Sequence, residues 1–510
     1  MSSSDDPRER FKRPLERPVL NLPAKRAAPV AEPPKDDVAA EAGGLARLLS
    51  AVAKMLQPKA PDAPQAAPSV DPAAEPPVYT VLVAAMAGDS SDGAASQALF
   101  KVLESRSALK VRPLPRPFVL ESLDDPLQVA ALVTNTRHAI AEENADLLVW
   151  GEMGRDGYRL RLAGANLPDE EKPGGFGVST RIELPPVLGD PQANLLYAAC
   201  LAAADAGNEV QRAAVRRLLP LAAAPLEALA AKPPMALSMP QQRSLQQVYG
   251  HVCAACALVV APSQAGDWFR KAVDAYRAAE KRVGRTDPAW ETGLIHKQLA
   301  AVLTAWAERS KDQAQVHLEE AVRYWRLAGD VLTRAAMPQE WAAVQTRLGV
   351  ALYRLDLLTG DSELLRESLQ ALQAALQVHT RADAPHRWAD VMNTIAQVLE
   401  VYGDQLKNPE VLKRAVDACR SVLEIRTRDR TPLAWASTSN TLGSALFLLD
   451  RHGGGLGHLA EADRILEAAL EVFRTYGAKG PAQVAARNLA HVRKLAEDRK
   501  GRAVIDPDWT

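Results

Sequence analysis

From about residue 190 to residue 497 the apolar positions recur at helical spacing, and the pattern itself repeats. Pro338-Gln339-Glu340-Trp341-Ala342, Pro385-His386-Arg387-Trp388-Ala389 and Pro432-Leu433-Ala434-Trp435-Ala436 place proline and tryptophan at intervals of 47 residues. Seven residues after each tryptophan stands an apolar residue followed by a small one: Leu348-Gly349, Ile395-Ala396 and Leu442-Gly443. Prolines opening helix-like segments occur at Pro191, Pro240, Pro288, Pro338, Pro385, Pro432 and Pro481. Proline is favoured in a first helical turn, where its missing N–H costs nothing, so each marks a helix start. Within one unit the first helix is expected over Gln339 to Asp356, then a Gly/Asp turn (Gly360-Asp361, Gly403-Asp404), then a second helix with Leu365, Leu369, Leu372 and Leu376 on one face. Each unit is then a helical hairpin that must stack on its neighbours to bury its apolar face, which predicts a mostly α solenoid of six to seven hairpins.

Residues 78–186 read differently, as β-α-β-α-β-β-β. Tyr79 to Ala85, Lys110 to Arg112, Asp146 to Gly151, Tyr158 to Ala163 and Ser179 to Leu184 are the expected strands, and residues 95–104 and 127–143 the expected helices. The last two strands alternate as one-sided strands do. Before this small α/β domain, residues 1–77 form an arm and linker. Its first part has few large apolar groups and is expected to be disordered. Leu45, Leu48, Leu49, Val52, Met55 and Leu56 then share one face of a short helix over 45–56, and a proline- and alanine-rich linker follows. Residues 498–510 read as a tail.

The Leu348-Gly349-x-Ala351-Leu352 and Leu442-Gly443-x-Ala445-Leu446 segments, with an alanine-rich second helix, resemble tetratricopeptide (TPR) repeats of a long-period bacterial kind entered by Pro-x-x-Trp-Ala. The resemblance implies a concave groove for a protein partner. This chain departs from the 34-residue period of that family because its helices are longer. The phrase Ala145-Asp146-Leu-Leu-Val-Trp-Gly151-Glu, followed by Gly157-Tyr158, resembles the amino-terminal domain of TolB-type proteins, which implies an interaction or sensory module without catalytic residues.

Composition narrows the partners. Lys plus Arg total 61 and Asp plus Glu 62, so no global field favours nucleic acid. Four cysteines in 510 residues are no disulfide framework and suit a reducing compartment. The longest apolar run, Cys253 to Ala261, is about half of the ~20 residues a bilayer span needs, and Met1 to Arg13 lacks the apolar core of a secretory signal. A cytoplasmic protein is expected, with peripheral lipid contact through Leu45–Leu56 as a minor alternative.

Candidate chemistry is sparse. His251-Val-Cys253-Ala-Ala-Cys256 has metal or redox spacing but lies within a repeat helix, where cysteine serves as a small apolar residue. Gly174-Gly175-Phe176-Gly177 and Gly453 to Gly457 lack the Lys-Ser/Thr of a phosphate loop. No catalytic, cofactor or metal residue is assigned. Trp341, Trp388 and Trp435, with Gly349 and Gly443, are read as packing residues, and Arg334, Arg381 and Arg428 as complements to helix C-terminal dipoles. Gln345, Arg347, Asn393, Gln397, Ser439 and Asn440 are polar positions on apolar first helices. They are either groove residues or satisfied core groups. The expectation is a non-enzymatic scaffold or adaptor. The alternative is a ligand-sensing regulator whose α/β domain binds a small molecule and whose solenoid relays it.

Overall fold

The computed structural model describes residues 78–166, 169–310, 313–453 and 457–505, with side chains through residue 500. The arm, its expected helix over 45–56 and the linker lie outside the described residues. A five-stranded mixed sheet comes first, in the order β2-β1-β3-β4-β5, formed by β1 (Tyr79–Ala84), β2 (Leu109–Leu114), β3 (Leu147–Gly154), β4 (Gly157–Gly164) and β5 (Ile182–Leu184). β1 runs parallel to β2 (Val81 opposite Val111) and to β3 (Val81 opposite Leu147), while β3, β4 and β5 pair antiparallel. Parallel neighbours need crossovers, and helices α1 (Ala94–Glu104) and α2 (Pro126–Glu142) supply them.

Alternation on β1 sends its side chains to two cores. Leu82 and Ala84 meet Leu132, Ile140, Leu148 and Trp150 under α2. Tyr79, Val81 and Val83 meet Leu99, Leu103 and Leu196, and that second core continues without interruption into the helices that follow. Gly151 is required at the β3–β4 contact: at φ +154°, a Cβ there would run into the Arg159 carbonyl across the ladder.

Among the described residues, thirteen helices follow β5. The first twelve pair as six hairpins: α3 (Asp190–Ala203) with α4 (Glu209–Ala231), α5 (Met239–Val259) with α6 (Pro262–Glu280), α7 (Ala289–Arg309) with α8 (Ala314–Val331), α9 (Pro338–Thr359) with α10 (Ser362–Ala375), α11 (Pro385–Gln405) with α12 (Pro409–Leu423), and α13 (Pro432–His452) with α14 (Leu459–Thr475). A last helix, α15 (Lys479–Ile505), packs on α14 and continues through much of the stretch read as a tail. Entry prolines occupy the first turn of α3, α5, α9, α11 and α13.

Three local readings need correction. Gly403-Asp404 does not form a turn: both lie inside α11, and Gly403 is small because a Cβ there would come within 2.7 Å of Leu412 Cγ. The chain turns instead at Lys407, φ +48°, and Asn408 caps α12 through the Glu410 N–H. The expected strand Ser179–Leu184 is only Ile182–Leu184, because Ser179 and Arg181 bond to the repeats instead of to β4. Finally, the helix carrying Cys253, expected over Gln241 to Ala261, ends at Val259, and Pro262 opens the next one.

Candidate protein-binding face

First and second helices differ in what they bury. In α7, α9, α11 and α13 polar and even charged groups lie in the interior, including Glu291, Lys297, Glu340, Asp356, Asn393, Glu400 and Asp450. The second helices α10, α12 and α14 keep an apolar inner stripe and an open polar side. Buried polar groups must be paired, and those of the first helices are paired in two ways: to one another, and to the connection between β4 and β5.

That connection, residues 165–181, is several times longer than the ~2–5 residues a hairpin needs. It crosses four successive first helices. On α5, Phe176 packs against the His251 ring at 4.8 Å, and Gly174 sits at φ +68° so close that a Cβ would lie 2.7 Å from both Ala254 Cβ and the His251 carbonyl. On α7, Gln298 Oε1 accepts from the Gly174 N–H at 2.9 Å, and Arg181 pairs with Glu291. On α9, Ser179 Oγ donates to Glu340 Oε1 at 2.6 Å, Lys297 Nζ reaches Glu340 Oε2 at 2.5 Å, and Arg347 Nε stands 2.8 Å from Glu171. On α11, Arg387 lies 3.6 Å from Glu171 and 3.9 Å from Glu170.

The electrostatics of this seat are mixed. Burial raises the Glu170 carboxyl to about 7, helped by the neighbouring Glu340 and opposed by Lys297 and Arg387. Burial also raises Glu171, against Arg347 and Arg387. Between the segment, α5 and α7 remains a polar cavity of about 30 Å³ bordered by Ser179, Arg243, Glu291 and Lys297, roughly the room of one water.

The residues expected at a groove fall into different settings. Arg347 lies on the segment, and Gln345 is half-buried beside Gly329. Asn393 accepts from Thr438 Oγ1 at 2.8 Å and Asn440 from Asn488 Nδ2 at 3.1 Å, so these two join neighbouring first helices in the interior. Gln397 and Ser439 are buried as well, each with one polar atom, Nε2 and Oγ, lacking a hydrogen bond among the described residues. None of Asn393, Gln397, Ser439 and Asn440 lines an open groove, because all four are buried. Trp341, Trp388 and Trp435 are half-buried. Arg381 and Arg428 lie over the Trp388 and Trp435 rings at 5.4 and 5.7 Å. The recurrent arginines make side-chain contacts with the next unit: Arg334, Arg381 and Arg428 reach Gln377, Glu424 and Glu471, each 43 residues ahead and at or near the end of the next second helix. At Gly349 and Gly443 a Cβ would strike Leu372 and Leu466 of the hairpin partner, so both are contact points within hairpins.

Cys253 and Cys256 are fully buried. Burial pushes the Cys253 thiol up to about 12 and Cys256 well above its ordinary value, which leaves both protonated at neutral pH.

Sequence reasoning missed the segment and a second ladder, Glu308–Arg354, Asp356–Gln405, Asp404–His452 and Asp450–Arg499, which ties the C-terminal ends of successive first helices. The recurrence of acidic residues at 308, 356, 404 and 450, in step with the prolines, was the available signal. For the segment the signal was register. Nine residues after Pro288, Pro338, Pro385 and Pro432 stand Lys297, Arg347, Thr394 and Thr441, so charge occupies this position only in the units that the segment crosses.

No family model matches the chain, and no curated protein matches it. Among solved structures it is similar to a circular tandem repeat protein with novel repeat topology and enhanced subunit contact surfaces, at 14% identity over 62% of this chain and 85% of that one, with a TM-score of 0.25. At that score the likeness carries no argument. The chain is a helical tandem-repeat protein preceded by an α/β sheet. Among the described residues no helix is long and apolar enough to cross a membrane.

Two further cavities lie in the sheet region. One of about 410 Å³ beside β1 and β2 is walled by Val83, Phe100, Pro113 and Leu114. One of about 220 Å³ lies among α2, β4 and the start of the segment, where Asn166 bonds to Asp205 at 3.1 Å and Lys172 stands 3.9 Å from the same carboxylate. The helix-start anion site after β1 is already taken: Asp89 accepts from the Ala95 and Ser96 N–H groups.

Proposed function

We infer that this chain is a non-enzymatic protein-binding scaffold of tetratricopeptide-like hairpins, which holds an extended stretch of a partner across its first helices. The observation that supports this is the 169–181 segment. An irregular, polar piece of chain lies across α5, α7, α9 and α11, held through its backbone, its carboxylates and one aromatic ring. Stacked repeats present such continuous faces to partners, and the sheet serves to deliver the segment to this one. Cysteine usage supports work in a reducing compartment.

The test is capture of partners from a lysate of the source cells by full-length protein, compared with an Arg347→Glu, Arg387→Glu variant and an Arg381→Ala, Arg428→Ala variant. The first pair alters the segment-bearing face and the second the outer ladder. Loss of specific partners with the first pair alone is expected. Absence of any specific protein on the native chain removes the reading.

The cavity of about 220 Å³, where Thr136, Arg137, Asp169, Lys172 and Asp205 converge, favours ligand sensing as a second reading. Two of its groups, Asp169 and Lys172, belong to the segment itself, so a ligand there would act on the segment's seat. Thermal shifts across a panel of small polar metabolites test it.

A further inference from the structure

We propose that residues 169–181 are a displaceable internal ligand, and that the face beneath them is a site for an extended partner segment with two adjacent carboxylates followed by a glycine-rich, aromatic stretch. This rests on the scaffold reading and names its partner chemistry. Four observations converge.

The first is length: residues 165–181 join two antiparallel neighbours, β4 and β5, whose pairing needs only a short turn, so the pairing itself leaves most of the segment unexplained. Both strands are anchored outside it, β4 against β3 and β5 through the Glu183 N–H to Ser244 Oγ at 2.8 Å, and release of the segment leaves the sheet in place.

The second is the manner of contact. The segment has no regular structure of its own in the stretch that meets the repeats, and it is held as a bound peptide is held: a backbone N–H on Gln298, a glycine pressed onto α5, a ring on His251, and carboxylates on arginines.

Third, charge is placed for that occupant. Lys297, Arg347 and Arg387 sit under it, whereas Thr394, Thr441 and Ala434 hold the matching repeat positions further along the chain. Opposite charges across a contact select the partner and its register.

The fourth is the imperfection of the fit. Glu170 stands near the buried Glu340, and desolvation of both glutamates outweighs what the arginines return. An internal occupant that is disfavoured at one position is one that a better-matched segment replaces. Tethering gives the internal segment a high effective concentration, so a free competitor must be either stronger or helped by loosening of the tethered copy.

The experiment uses full-length protein and a fluorescently labelled peptide of residues 169–181 as probe, followed by fluorescence anisotropy. Native protein is expected to bind the probe weakly. A Glu171→Ala, Gly174→Val variant removes the carboxylate that meets Arg347 and Arg387 and forces a Cβ branch against Ala254 and the His251 carbonyl, and is expected to bind the probe at least tenfold tighter. Adding Arg347→Glu to that variant removes the gain, and a probe with both glutamates replaced by lysine, which meets Arg347 and Arg387 with like charge, binds at least tenfold more weakly. If the loosened variant keeps its helical circular dichroism and melting cooperativity but gains no affinity, or binds the lysine probe equally well, the proposal is overturned and the segment is a fixed strut. Should that variant not fold, hydrogen exchange on native protein with saturating unlabelled peptide decides. Faster exchange at the Gly174 amide is expected, and unchanged exchange overturns the proposal. The probe is this chain's own sequence and no outside partner is involved, so failure here leaves the capture result, and with it the scaffold reading, standing or falling by itself.

Discussion

One helix face is built twice in this molecule, with different chemistry. Over α5 to α11 it lies beneath residues 169–181 and carries interior charges: Glu291, Lys297 and Glu340, with Arg347 and Arg387 at its margin. Over α11 to α15 the same first helices meet one another through neutral groups, Asn393 with Thr438 and Asn440 with Asn488, and the interior charges there, Glu400 with Ser444 and Asp450 with Arg499, are partnered within the repeats themselves. The glycine contacts within hairpins are the same in both halves, Gly349 on Leu372 and Gly443 on Leu466. Packing is therefore set by the repeat, and charge by what lies on it. A buried charge is tolerated only when paired, so the charged half depends on its occupant in a way that the neutral half does not.

The largest expected effect follows from that dependence. Lys297→Met leaves Glu340, 6% exposed, bonded to the Ser179 hydroxyl and with Glu170 nearby. Breaking a buried ion pair from one side costs about 3–5 kcal/mol, and urea denaturation should show a loss of that size. The residue at the same register in the neutral half, Thr394, bonds only to the Asp390 carbonyl one turn earlier, so Thr394→Ala should stay within ~0.5 kcal/mol. Equal losses at the two positions would erase the distinction between the halves.

Packing should behave oppositely and be indifferent to the half. Gly349→Ala and Gly443→Ala each place a Cβ against a partner leucine, and overpacking of this kind costs about 1–3 kcal/mol. Matching melting-temperature losses for the two are expected. A cost confined to Gly349 would tie helix spacing to the segment.

The seat of the segment has a pH response of its own, separate from that of Glu400, which burial raises to about 8 between α11 and α13. Glu170, faced by Glu340 on α9, Lys297 on α7 and Arg387 on α11, has its carboxyl raised to about 7 in the seat. A raised carboxyl favours the seated form while it is protonated. Its contribution is whole below its ordinary value near 4.5 and is lost as pH rises through 7. Between pH 6 and 8 the segment should open roughly tenfold more readily, ~1.4 kcal/mol, read as hydrogen exchange at Gly174 corrected for intrinsic rates. Glu170→Gln should flatten the trend, leaving the part due to Glu171.

The repeats were legible because their signal is local and recurrent: proline at helix starts, tryptophan three residues on, and glycine or alanine where helices touch. The order of strands and helices in the sheet was legible for the same reason, from runs of alternating and continuous apolar residues. The segment was not, since its partners lie far away in sequence, 161 residues for Ser179 with Glu340 and further still for Glu170 with Arg387. Ser179-Thr-Arg alternates like a strand, and no pattern inside those three residues states that a repeat helix takes their bonds. Asn393, Gln397, Ser439 and Asn440 were visible as polar exceptions on apolar helices, yet whether such a residue meets a groove or a neighbouring helix depends on the rotation of each helix, which a one-face pattern does not give.

The smallest effect concerns the outer ladder, where both halves have the same design. Arg381 and Arg428 lie over Trp388 and Trp435 and reach Glu424 and Glu471, with roughly half of each arginine side chain in solvent. An exposed pair contributes about 0.2–1 kcal/mol, and a solvent-exposed cation over an aromatic ring about as much. Arg381→Ala and Arg428→Ala should therefore each lower stability by about 1 kcal/mol or less, weakened further by 1 M salt, which screens charges beyond ~3 Å. Loss of the ladder should leave hydrogen exchange at Gly174 unchanged, because Arg381 lies in the connection after α10 and pairs with Glu424 at the end of α12, whereas Gly174 rests on α5 and α7. Faster exchange at Gly174 in Arg381→Ala would mean that strain on the outer layer reaches the inner one, and the two layers of each hairpin would then have to be treated as a single mechanical unit.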